Sequence, residues 1–191
     1  MSESSFQSLT NHFLLAMPEL KDPNFNQAVT LICQHDANGA LGVVVNRPLD
    51  NLIVNDVLNQ FDLPSPKDSP TGLYPVYAGG PVHHELGLVL HEGLGEWQST
   101  LEVGGEIGLT SSRDVLEAIS KAAGPPALLL TLGYAGWGPG QLEKELQENA
   151  WLTVEADPDI LFRVPPTERW QRAAQGIGVD ITRLAPGAGH A

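Results

Sequence analysis

Cys33 and His35 stand two residues apart in AVTLICQH, residues 28–35, a stretch rich in strand formers. On a regular strand such residues project from one face, which is the spacing of a thiol–imidazole dyad. The dyad needs a thiol that ionises easily and reaches a substrate. Val29, Leu31 and Ile32 around Cys33 favour a buried structural thiol instead. A second feature is Gly133-Tyr134-Ala135-Gly136-Trp137-Gly138-Pro139-Gly140, which reads as a glycine-rich loop between a buried strand and a helix. Such a loop can offer backbone N–H groups to an anion. This one lacks the Lys and Ser/Thr of a phosphate-binding loop and the glycine spacing of a dinucleotide site. Tyr134 and Trp137 either pack as core beside a tight turn or line a ligand surface.

Gly79-Gly80-Pro81 leads into His83-His84-Glu85. Adjacent histidines on a strand point to opposite faces, and three or four converging ligands are needed to hold a metal. His91-Glu92 is no HExxH motif, because Gly95 fills the second histidine position. Asn46-Arg47-Pro48 closes the most apolar strand, where Arg47 has the fork that clamps a carboxylate or phosphate, or else is simply solvated. There is no GxSxG nucleophile elbow. The expected binding set is Asn46, Arg47, Gly79, Gly80, Tyr134 and Trp137, with Cys33 and His35 as the lesser alternative. No catalytic residue, metal ligand or cofactor motif is assigned, and the reading leans against an enzyme.

The 191 residues are expected to form a single domain with its own core, loose at about 1–8 and 184–191. Ten Lys and Arg against 23 Asp and Glu give 10 − 23 = −13, a charge that keeps a protein soluble and repels nucleic acid and anionic lipid. Direct DNA binding would require Arg163, Arg169, Arg172 and Arg183 to gather on one exposed face. A single cysteine excludes an intramolecular disulfide and fits a reducing compartment. Residues 1–10 lack the basic and apolar regions of a signal peptide, and no apolar run nears the ~20 residues of a membrane helix. A cytoplasmic location is expected.

The elements follow from periodicity and turn residues. Strands are expected at 12–17, 28–35 and 40–46, the last two joined by a hairpin through Asp36-Ala37-Asn38-Gly39. Pro48 is expected to end the third strand, and residues 52–60 to form a short amphipathic helix. A turn is expected at Lys21-Asp22-Pro23-Asn24, and an extended proline-rich loop over 63–75. Strands follow at 76–78, 86–91, 99–103 and 106–109. Ser111-Ser112-Arg113-Asp114 then opens a helix capped by a serine hydroxyl and closed by Gly124-Pro125. A buried strand at 127–132, a helix at 141–149, a strand at 151–155, a helical turn from Asp157-Pro158 and a last helix from Pro166 or Thr167 complete the chain. The pattern is mixed α/β or α+β with a largely antiparallel sheet.

Taken together the segments resemble the YqgE/AlgH family of bacterial proteins over nearly the whole length. The resemblance rests on NHFLLAMPELKDPNF (11–25), LICQH through GALGVVVNRP (31–48), AGGPV (78–82) and TSSRDVLEAI (110–119). It continues in LGYAGWGPGQLEKELQENAWL (132–152), RWQRAAQGIGVDI (169–181) and the closing GHA. It implies a bent sheet forming a partial barrel with surrounding helices, in a bacterial cytosolic protein. It also implies a regulatory role associated with alginate synthesis in pseudomonads, and no known activity. The expectation is therefore a regulatory or adaptor protein acting through a protein partner. A small-molecule-binding protein or unrecognised enzyme at the strand-end motifs is the alternative, and a direct DNA-binding transcriptional regulator the third.

Overall fold

The computed structural model describes residues 6–18 and 27–178. The turn expected at Lys21-Asp22-Pro23-Asn24, Arg183 and the tail from Leu184 lie outside the described residues. Short apolar runs build β1 (His12–Ala16), β2 (Val29–Asp36) and β3 (Gly39–Val44), with the expected hairpin between the last two. β4 (Pro48–Ile53), α1 (Val54–Gln60) and a 3₁₀ turn at Pro70–Leu73 lead to β5 (Pro75–Ala78). β6 (Val82–Glu92), β7 (Thr100–Gly104), β8 (Ile107–Thr110), α2 (Arg113–Ser120) and β9 (Leu128–Trp137) follow. α3 (Gln141–Gln147), β10 (Trp151–Glu155), α4 (Pro158–Phe162), a 3₁₀ turn at Pro166–Glu168 and α5 (Arg169–Gln175) close the described chain.

Among the described residues ten strands form one sheet in the order β10-β1-β2-β3-β9-β6-β8-β7, with β4 on β5 and β5 on β9. Every pairing is antiparallel except β5 with β9. The sheet bends into an open barrel, as side-chain alternation records. Phe13 and Leu15 of β1, Leu31 of β2, Leu88 and Leu90 of β6 and Val103 of β7 meet in one inner cluster, closed by Leu161 of α4 and Ala173 and Ala174 of α5. The intervening residues face outward to the helices. Val89, Leu128 and Leu130 pack on α1 and α2, whereas Leu14, Ile32 and Trp137 pack on Leu142 of α3. Among the described residues no helix is long and apolar enough to cross a membrane.

Four local expectations need correction. The glycine-rich stretch from Gly133 is not a loop: β9 runs on to Trp137, pairing with β6 and β5 in its first part and with β3 in its second. Pro48 opens a strand rather than only ending one. As the first residue of the short, irregularly paired β4, it needs no N–H for the ladder. Ser112 sits at the N-cap of α2, but its hydroxyl donates to Asp114 Oδ1 (2.5 Å) and accepts from Ser99 N (3.1 Å), so it ties the helix to the β7 approach instead of capping it. α2 ends at Ser120, before Gly124-Pro125. At the N-terminus, Ser8 Oγ donates to His35 O (2.9 Å) and the Phe6 ring meets that of His35 edge-on.

Candidate functional site

The six residues of the expected binding set divide. Asn46 is a brace: its Oδ1 accepts from Val29 N (2.9 Å) and its Nδ2 donates to Gln27 O (3.0 Å), which fastens the end of β3 to the start of β2. Arg47 O accepts from Ala78 N (2.9 Å), and Gly79 bridges Val44 N and Leu132 O (both 2.8 Å). A Cβ on Gly79 would stand 2.3 Å from Gly133 O, and one on Gly80 would stand 2.2 Å from the Tyr134 carbonyl carbon. These glycines allow the chain entering β6 to press on β9. Backbone contact thus gathers Arg47, Gly79, Gly80 and Tyr134, with Asn46 beside them.

Trp137 does not join them. Tyr134 packs toward the inner cluster, with its ring 5.8 Å from that of His83, whereas Trp137 packs in the outer cluster under α3. There Trp137 Nε1 donates to Glu145 Oε2 (2.6 Å), an oxygen that Trp151 Nε1 also reaches (3.2 Å). The two aromatics of the glycine-rich stretch therefore do not form one surface.

Cys33 and His35 are also separated, against the same-face expectation. The β2–β3 register slips between Ile32 and Gln34, so Cys33 is the extra residue of a β-bulge and the alternation changes phase there. Cys33 enters the inner cluster, where burial pushes its thiol up to about 12. His35 turns outward opposite Ala40: its Nδ1 accepts from Leu9 N (3.0 Å) and its Nε2 donates to Glu143 Oε1 (2.6 Å). Both ring nitrogens are occupied, so His35 docks the N-terminal segment rather than serving as a base. At Glu143, desolvation raises the carboxyl, but a backbone N–H and the His35 bond outweigh it and the net shift is downward.

The most unusual polar group among the described residues is one that sequence reasoning weighed only as part of an exposed basic face. Arg169 is 3% exposed. α5 holds it inward: Trp170 Nε1 donates to Ala16 O (3.0 Å), and the small, fully buried Ala173 and Ala174 let the helix lie against β1. Arg169 Nε donates to Val164 O (2.9 Å) and Nη1 to Val45 O, just beyond the end of β3. Its guanidinium carbon lies 5.3 Å from the centroid of the Tyr77 ring. Among the described residues it makes no ion pair. Of five guanidinium N–H groups, two have acceptors among the described residues, leaving 5 − 2 = 3 without one there.

Arg169 lines a cavity of about 400 Å³ between β5, β9, α4 and α5. Tyr77, Leu128, Leu129 and Phe162 supply much of its wall, and Glu92 and Arg163 also line it. Arg163 is matched by carboxylates on two sides, Glu92 Oε2 (2.7 Å) and Asp159 Oδ1 (2.8 Å). Burial of Arg169 also removes it from any exposed basic face for DNA. The sequence did carry a signal for this position: Arg169 is four residues before Ala173, so it shares the inward stripe of α5.

A further buried group is His91, 0% exposed on β6. Its Nδ1 donates to Gly93 O (2.6 Å), so in the neutral ring Nε2 accepts from Thr110 Oγ1 (2.7 Å), which in turn meets Thr100 Oγ1 (2.7 Å). A Cβ at Gly108 would stand 2.6 Å from His91 Cε1, so the opposite strand makes room for the ring. His83 is exposed and lies 3.7 Å from Glu85 Oε1.

A family model described as AlgH-like matches residues 13–182. A UPF0301 protein of Methylococcus capsulatus is 50% identical over 189 residues, covering 99% of this chain and 98% of that one. A UPF0301 protein of Nitrosococcus oceani is 49% identical over 183 residues, covering 95% and 96%. The solution structure of the AlgH protein from Pseudomonas aeruginosa matches with a TM-score of 0.78 at 47% identity, over 100% of both chains. A crystal structure of a Corynebacterium diphtheriae protein, 18% identical, shares the fold with a TM-score of 0.75 over 95% and 93%.

Proposed function

The chain belongs to the AlgH-like family, and from that premise we propose that it is a cytoplasmic regulatory or adaptor protein that works by binding. It takes a small anionic molecule into the Arg169 cavity and acts through a protein partner that distinguishes the occupied form. One observation carries this reading: Arg169, buried to 3% exposure, with two carbonyl acceptors and no ion pair among the described residues, lines a ligand-sized cavity. A buried charge is costly unless it is paired, and its carbonyl and aromatic contacts offset that cost only in part. An anion supplies the missing partner.

The arrangement also supports transmission. Arg169 reaches Val45 O, Val45 N donates to Val29 O (2.9 Å), and Asn46 holds the neighbouring Val29 N. Occupancy therefore bears on a junction of α5, β3 and β2 rather than on one loop.

The test is an NMR titration of the full chain with formate, benzoate and inorganic phosphate. Saturable shifts at the amides of Val45, Val164 and Arg169 are expected with at least one anion and should disappear in Arg169→Met. No Arg169-dependent response to any of the three would remove the ligand half of the proposal. The partner half is tested by capture from the host with wild-type chain and Arg169→Met. A protein recovered to the same extent by both would not be reading the occupied state. Tight binding to promoter DNA at physiological salt would overturn the partner mechanism.

A further inference from the structure

We infer that the Arg169 cavity selects a monocarboxylate with a flat or branched apolar body over phosphates and dicarboxylates; this rests on the anion-binding reading above. The charge on its walls argues for a single negative charge. Two guanidiniums and one carboxylate line the space, Arg163, Arg169 and Glu92, and sum to 2 − 1 = +1. Arg163 is already held by Glu92 and by Asp159, so Arg169 is the guanidinium of the lining with no carboxylate within ion-pair distance among the described residues. A second negative charge on the ligand would face the Glu92 carboxylate without a further cation to receive it.

The donor set argues for a carboxylate. Phosphate sites gather several backbone N–H groups on one anion. Here Pro75 and Pro126 have no N–H to give, and Tyr74 N already donates to Thr71 O (3.1 Å). Arg169 presents a planar guanidinium to that space, which suits a planar carboxylate.

The rest of the wall argues for the body. Leu129 and Phe162 line the space, and the ring of Tyr77 lies beside the guanidinium. A cavity of roughly 150 Å³ suffices for benzene. The ~400 Å³ available here therefore accommodates an aromatic or branched group together with its carboxylate.

The experiment is a set of NMR titrations of the full chain with phenylacetate, phenylacetamide, phenyl phosphate, succinate and inorganic phosphate. It is run on wild type, Arg169→Lys, Arg169→Met and Glu92→Gln. Phenylacetate is expected to bind most tightly. Phenylacetamide, which keeps the shape and loses the charge, should bind about tenfold or more weakly, as expected when a charge-assisted bond is lost. Arg169→Met should abolish phenylacetate binding, and Arg169→Lys should weaken it while keeping the cation. Glu92→Gln leaves the core untouched and should raise phenyl phosphate affinity relative to phenylacetate by roughly threefold to tenfold, a surface-scale charge effect. Arg169-dependent binding of succinate or a phosphate in preference to phenylacetate would overturn the selectivity while leaving the anion site standing. Equal affinity for phenylacetamide and phenylacetate would overturn the charge argument. An unchanged phosphate-to-carboxylate ratio in Glu92→Gln would overturn the role given to Glu92. Failure of every probe in wild type would overturn the anion-site reading itself.

Discussion

With its ring fully buried and both nitrogens bonded, His91 makes folding sensitive to pH in a defined direction. Desolvation lowers its pKa below the ordinary 6.5, only partly opposed by the bond to Gly93 O. The unfolded chain therefore binds the proton more readily than the folded one, and stability rises with pH through this group. Its contribution is complete above the unfolded value and is lost as pH falls through the depressed folded value. The Glu143 and Asp114 carboxyls, also depressed, act in a lower window, below the ordinary carboxylate range. Urea midpoints measured between pH 7.5 and 5 (values set around the ordinary His pKa of about 6.5) should fall in wild type and fall less steeply in His91→Gln. Parallel slopes would show that His91 is not the group responsible. The substitution itself should cost about 1–3 kcal/mol at neutral pH, because Thr110 loses its buried partner.

Secondary-structure elements here owe their phase to single residues, and β9 shows it best. Leu128 and Leu130 face α1 and α2, Tyr134 faces inward, and Ala135 and Trp137 face α3, so the alternation shifts at Gly133. Gly133 has φ +78°, and a Cβ there would stand 2.6 Å from Gly80 O. Gly133→Ala should therefore destabilise the fold by about 1–3 kcal/mol. Gly136→Ala, three residues on, meets nothing nearer than 3.9 Å and should change stability by less than about 1 kcal/mol. Equal urea midpoints for the two variants would refute the assignment of the phase change to Gly133.

The same strand shows what the sequence could reveal. Strands written as short apolar runs, such as 12–17 and 86–91, and the Asn38-Gly39 hairpin were legible because their signals are local. Glycines erase alternation, so the second half of β9 read as a loop. The Cys33 bulge is set by pairing with β3 and has no local mark. Asn46, Gly79 and Gly80 stood out by type, but their bracing partners, Val29, Gly133 and Tyr134, are distant in the chain. Arg169 could be placed on the inward stripe of α5, but its cavity depends on β5, β6 and β9.

At the scale of the whole molecule, two electrostatic effects should separate. The net charge of −13 opposes compaction through self-repulsion. Added sodium chloride screens that repulsion, and it should raise the melting temperature of wild type and Arg169→Met alike. A ligand that binds only the folded chain acts differently: it stabilises by mass action, by about 2.7 kcal/mol at a hundredfold excess over its Kd. For a chain of this length that corresponds to a rise of roughly 5–10 °C. Phenylacetate titrated at constant ionic strength should produce that rise in wild type and not in Arg169→Met. The effect should persist at moderate salt, because the guanidinium it meets is 3% exposed and poorly screened. The same rise in both proteins would mean that phenylacetate acts on the surface as a salt does, and the cavity would lose its claim to the ligand. A rise confined to wild type would tie the stability of the whole fold to occupancy of one buried site, which is the physical requirement for a protein whose partner reads its bound state.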